Sequence, residues 1–207
     1  FPFDWVRSPL AGVLHCIETD FEDFLTFTAS CQPPYVSQKV FTTSRWGGSF
    51  WHHDPLAPGT ADVFLRRAER FLGMREVPLS QARVFVWAVN ATRELDATPR
   101  LLDSLQRALP QTKIRLLVLI DLQRSQGPIC LAGTCTDSLL FYFVHEDIFG
   151  PPSWPSQPQH PQGQQQQASP GAQRGGWSMQ RHCEAYAEAV AFAVKLWAGV
   201  EGTFELL

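Results

Sequence analysis

From residue 113 to residue 122 the chain is apolar at nearly every position, and this run limits the possible folds more than any other stretch. It is too short for the roughly 20 residues a membrane-spanning helix needs. A near-continuous apolar run of this length is expected in a strand covered by helices on both faces. Ahead of it, residues 82–89 are β-branched and aromatic over a strand's length. Between the two, Thr98-Pro99 starts a helix carrying Leu101, Leu102, Leu105 and Leu109, which Pro110 stops. Strand, helix and strand read as one βαβ unit with a parallel sheet, and residues 138–144 add a further strand. The expected fold class is α/β: a small, mainly parallel sheet flanked by helices, in a single domain.

Other segments fill in that plan. Ser8-Pro9 gives a helix start, after which Leu10, Val13, Leu14, Ile17, Phe21, Phe24 and Leu25 recur at helical spacing. Residues 31–58 are rich in Pro, Gly, Ser, Thr and aromatics, a long irregular stretch with a short strand expected over 36–43. Thr60 caps a helix to Leu72, with Val63, Phe64, Ala68, Phe71 and Leu72 inward and Arg66, Arg67 and Arg70 on a solubilising outer face. Residues 151–176 hold Pro, Gln, Gly or Ser at 21 of 26 positions and cannot bury a core. They read as a disordered insertion. The expected organisation is therefore residues 1–150 as the α/β domain, 151–176 as the insertion, and 177–207 as a helical segment returning to the same domain.

Charge excludes some partners. With 17 Lys+Arg against 20 Asp+Glu the net charge is −3, which lacks the basic footprint of a nucleic-acid or anionic-membrane binder. Five scattered cysteines, an odd number, do not form a disulfide framework and fit a reducing compartment such as the cytoplasm. Cys130 and Cys135 could close a local loop, but no second pair completes a zinc site. No cofactor or metal is expected. The chain opens Phe1-Pro2-Phe3-Asp4-Trp5, without an initiator Met or a signal sequence, and reads as part of a longer protein.

The chemistry-bearing candidates are few. Gly47 and Gly48 do not join a strand to a helix, and no Gly-x-Ser-x-Gly elbow occurs, so phosphate-loop and α/β-hydrolase signatures are missing. The densest polar cluster is Trp51-His52-His53-Asp54-Pro55. Histidine titrates near neutral pH and can act as a base, and a carboxylate can orient it. In an extended segment, however, successive side chains point to opposite faces, so Asp54 does not readily reach His53 and only one histidine faces a given cleft. The plainer alternative is a buried, hydrogen-bonded histidine with Asp54 as a turn residue. Asp121 stands at the carboxyl end of a strand, where open α/β sheets place ligand residues, and Asn90 ends the neighbouring strand on the same rim. Cys16 beside His15 reads as core, and His145-Glu146-Asp147 lacks the spacing of a helical zinc site.

Taken together, Pro2-Phe3-Asp4-Trp5, the acidic-aromatic stretch 17–25, His53-Asp54 and the two strands flanking residues 98–109 resemble the papain-like cysteine peptidase family, otherwise a domain of unknown function. The similarity covers most of the chain outside the insertion. Its most specific elements are Pro-Phe-Asp-Trp and His-Asp. In that family a glycine- and cysteine-bearing segment lies just ahead of Pro-Phe-Asp-Trp. The resemblance thus implies a nucleophilic cysteine upstream of residue 1, His53 as general base and Asp54 as its orienting group, with Asp121 a geometric substitute for that last role. Asp4, Trp5 and Asn90 complete the candidate binding residues.

Two readings follow: a cysteine-type hydrolase acting on a peptide or small-molecule amide, or a non-peptidase transferase or sugar-binding module. The second would hold its ligand at the rim near Asn90 and Asp121, with Trp5, Trp46 or Trp51 as an aromatic face. A pure interaction module is a third.

Overall fold

The computed structural model describes residues 1–34, 39–89, 91–129, 137–149 and 178–200. Asn90, Cys130, Cys135 and the segment 151–176 lie outside the described residues. In chain order the elements are β1 (Val6–Arg7), α1 (Leu10–Glu18), β2 (Phe27–Cys31), β3 (Val40–Ser44), β4 (Ser49–Phe50), α2 (Thr60–Phe71), β5 (Arg83–Ala88), α3 (Thr98–Ala108), β6 (Ile114–Gln123), β7 (Gly127–Ile129), β8 (Leu139–His145) and α4 (Met179–Trp197). Single 3-10 turns precede α3 (Thr92–Ala97) and follow β8 (Glu146–Phe149). No described helix is long and apolar enough to cross a membrane.

The strands form two four-stranded sheets, ordered β1-β4-β3-β2 and β5-β6-β8-β7. The first is antiparallel throughout, and the second is mixed, with β7 and β8 antiparallel. The chain is therefore an α and β protein, and the expectation of one small, mainly parallel sheet is corrected. The reason lies in the connections. Residues 45–48 alone join β3 to β4, whereas a parallel pair needs a crossover of about a dozen residues or more. The strand-helix-strand pattern does stand, as β5, α3 and β6, with β5 and β6 neighbours in the mixed sheet.

The contacts divide the chain into two compact units. The first comprises Phe1–Phe85, Val89–Leu116 and Thr136–Leu139. Its core is aromatic and centres on Phe24, whose ring stacks on Trp46 at 5.1 Å and meets Phe3, Phe21, Phe50 and Phe64 edge-on at 5.6–5.9 Å. Trp46 is fixed in turn, its indole N–H donating to the Phe24 carbonyl at 2.9 Å. Gly12 in α1 lies against this tryptophan so closely that a Cβ there would stand 2.1 Å from the Trp46 carbonyl oxygen.

Helix α1 is shorter than the apolar spacing predicts. It ends at Glu18 rather than Leu25, with the Thr19 N–H making the last helical bond to the His15 carbonyl, which also accepts the Thr19 hydroxyl. Asp20 and Phe21 then take left-handed backbone angles, φ 51° and 65°, which an α-helix cannot accommodate. Phe21 and Phe24 still reach the core, but from a turn. Glu18 ties α1 to α3: its carboxylate accepts a forked pair from Arg100 (2.8 and 3.1 Å), with the Ser104 hydroxyl at 2.9 Å. In α2 the buried stripe is Phe64, Ala68 and Phe71, whereas Val63, expected inward, is exposed. The helix starts from Gly59 at φ 80°, with Thr60 as its first residue.

The second unit comprises Val86–Ala88, Leu117–Cys135 and Leu140–Leu207. Here α4, capped by Ser178, lays Ala185, Ala189 and Ala193 against Leu117 and Leu119 of β6 and Leu140, Tyr142 and Val144 of β8. Alanines at every fourth position form one small-side-chain face, which lets the helix approach the sheet closely.

Candidate functional site

The polar cluster 51–54 occupies the link between β4 and α2. Asp54 closes a turn there. Its Oδ1 accepts the Leu56 N–H at 2.8 Å while its carbonyl accepts from Ala57 at 3.1 Å, an Asx-type arrangement. The two histidines meet different partners. His52 packs its ring T-shaped against Trp5 at 5.2 Å, and His53 packs its ring T-shaped against Phe64 of α2 at 5.3 Å and 87°.

His53 is half-buried, and its Nε2 is shut off from solvent with no hydrogen-bond partner among the described residues. Burial holds the ring below the ordinary imidazole pKa, and the charges of Arg67 and His52 push in the same direction. Arg67 leans on the same phenyl ring, its guanidinium carbon 5.2 Å from the Phe64 centroid. One of its terminal nitrogens is also buried without a partner. Its neighbours differ: Arg66 and Arg70 of the helix reach Glu76, and Arg75 just beyond it reaches Glu69 at 2.7 Å. Among the described residues Arg67 forms no ion pair. Phe64 thus carries a neutral imidazole and an unmatched cation.

The remaining expected residues fall elsewhere. Trp5 is exposed and, with Val6, Arg7, Trp51 and His52, lines an open cavity of about 400 Å³. Asp4 accepts from the Phe1 amino group. Asp121 belongs to the second unit, where its Oδ2 accepts the Tyr186 hydroxyl at 2.6 Å and its Oδ1 is buried without a partner. Burial, with that hydrogen bond and the Asp121 charge, raises the Tyr186 pKa well above the usual phenol range. One turn earlier on α4, His182 packs edge-on against Tyr186 at 4.4 Å and Phe149 at 5.1 Å, and its Nε2 is likewise buried and unpartnered.

Of the thiols, Cys16 is wholly buried and burial pushes it up to about 12, so it stays protonated at neutral pH and is no nucleophile. Cys31 and Cys183 are exposed. No group of three or more His, Cys, Asp or Glu side chains among the described residues could hold a metal ion.

No family model, curated protein or solved structure matches this chain. The site therefore stands on its own geometry, in which Arg67 is the residue the sequence reading assigned to a solubilising face. A signal was present: Arg67 follows Phe64 by three positions, and residues at that spacing share a helix face.

Proposed function

We propose that the first unit carries a histidine-based acyl-transfer site, a cysteine-type hydrolase of papain-like kind, with His53 as the base. The thiol would come from upstream of residue 1, as the resemblance implies. The observation that carries this reading is an imidazole packed against Phe64, its Nε2 unpartnered among the described residues and its pKa held below the ordinary value. Such a ring is neutral near pH 7 and able to accept a proton. Arg67 supports it, since a guanidinium beside a thiolate lowers the thiol's pKa. In the reaction the thiol proton passes to His53 and sulfur attacks the amide carbon. The leaving amine then takes the proton from the imidazolium. Water, deprotonated by the same ring, releases the acid from the thioester. Packing against Phe64, rather than a carboxylate, holds the ring in place.

The test is reaction of the full-length protein with a thiol-directed, amide-mimicking electrophile, beside His53→Ala. Rapid labelling that drops about 100-fold or more in the variant is expected for loss of a general base. Labelling no faster than that of an ordinary exposed thiol overturns the reading. A urea midpoint for each protein separates lost chemistry from lost fold.

Asp121 favours a second reading, a ligand-binding unit for a hydroxyl-bearing molecule such as a sugar. An unpartnered carboxylate oxygen accepts hydroxyls, and Tyr186 and Phe149 offer aromatic surface. Thermal shifts with a panel of monosaccharides, lost in Asp121→Ala, would support it.

A further inference from the structure

Among the described residues, every arginine of α2 except Arg67 reaches an acid. Arg66 and Arg70 share Glu76, and Arg75, just beyond the helix, takes Glu69. A guanidinium cannot escape an unsatisfied N–H by giving up its proton, because it stays charged at any ordinary pH. A buried, unpartnered Arg67 N–H is therefore a standing penalty in the free protein. The nearest acid in sequence to the two histidines, Asp54, has an oxygen committed to Leu56. His53 adds a second unpartnered nitrogen on the same phenyl ring. Packed on one phenyl ring, and with the Arg67 charge felt at the imidazole, these groups offer one fixed positive charge and one imidazole able to donate a hydrogen bond. That set balances a monoanion and falls short of a phosphate dianion. A carboxylate also matches the planar fork of arginine, which can donate two parallel hydrogen bonds to it.

We infer that Arg67 and His53 form a carboxylate-binding site on Phe64, and that the first unit acts on an acidic substrate, an amide or peptide with a carboxylate next to the bond offered to His53. The binding half stands without the hydrolase reading; the substrate half rests on it. Side-chain rearrangement on ligand entry, here of two half-buried residues, is ordinary at binding sites. The carboxylate has two sources in a peptide, an acidic side chain or a free C-terminus, and the same fork serves both.

The experiment titrates the full-length protein with N-acetylglycine, which has a free carboxyl end, with N-acetylaspartate amide, which has only the side-chain acid, and with uncharged N-acetylglycinamide. The readout is the His53 ring resonance in NMR, identified by its loss in His53→Gln. At least one acid should shift that resonance and raise its titration midpoint, while the amide leaves it in place. The acid that binds more tightly names the source. Arg67→Gln should weaken the response about tenfold or more, and Arg67→Lys, which keeps the charge without the fork, should recover part of it. Equal shifts from acids and amide overturn the inference, as does an unchanged response in a folded Arg67→Gln. Labelling by the thiol probe without carboxylate binding removes this inference and leaves the hydrolase reading. Carboxylate binding without labelling keeps the binding site and removes the substrate assignment with the hydrolase reading.

Discussion

Phe64 serves two polar side chains of opposite habit, which both pack on its ring. His53 can shed its charge when buried and Arg67 cannot, so the same apolar surface leaves one of them neutral and the other in want of an anion. Asp54 shows how neighbours in sequence can part company in space. Its Oδ1 accepts the Leu56 N–H in the turn that leads into α2, so Asp54→Asn, which keeps an acceptor oxygen, should label with the thiol probe at the parent rate. A fall matching that of His53→Ala would return Asp54 to the orienting role that the resemblance implies. At this scale the sequence was partly legible. Histidine chemistry announces itself by residue type and the turn role of Asp54 was one of two readings, but Arg67 looked like any surface arginine. Only its three-residue offset from a buried phenylalanine set it apart, and that signal is weak until Phe64 is known to face inward.

At the scale of elements, long apolar periods carried the information. Helices α2, α3 and α4 and strands β5, β6 and β8 lie within a residue or two of where their hydrophobic patterns put them. Strands β1, β4 and β7 span only two or three residues each, too few for any alternation to register. Strand β2 is exposed from Thr28 to Cys31, so it shows no buried face to alternate. The over-long expectation for α1 has a different cause. Phe21 and Phe24 keep helical spacing and reach the core, so periodicity continued past the point where left-handed Asp20 and Phe21 ended the helix. Element packing also makes a stability prediction. Among the described residues, Tyr186 of α4 gives the Asp121 carboxylate of β6 its one hydrogen bond. Removing the hydroxyl in Tyr186→Phe strands both oxygens and should cost about 1–3 kcal/mol, read as a lower urea midpoint with unchanged slope. A midpoint equal to the parent's would show that another donor already serves Asp121.

For the molecule as a whole, two groups with displaced pKa values set the response to acid. In His53 the folded pKa is lowered, by burial first and then by the charges of Arg67 and His52. The unfolded chain therefore takes up this proton first, and the folded state loses stability as pH falls through the ordinary imidazole range near 6.5. The loss stops once pH is below the folded pKa, where both states hold the proton. In Glu18 the folded pKa is lowered by the Arg100 hydrogen bonds, against partial desolvation, with help from Ser104 and Arg107. Its contribution is present above the ordinary carboxylate range and disappears as pH falls through the folded pKa. Because this carboxylate and its arginines are substantially exposed, the clamp is worth no more than about 1 kcal/mol and weakens with salt. Urea midpoints between pH 8 and pH 3 should accordingly decline in two stages, an upper one insensitive to salt and a lower one sensitive to it. His53→Gln should flatten the upper stage and leave the lower, and Glu18→Gln should do the converse. An upper stage that survives His53→Gln would mean that another group titrates there and that the His53 ring is not held neutral.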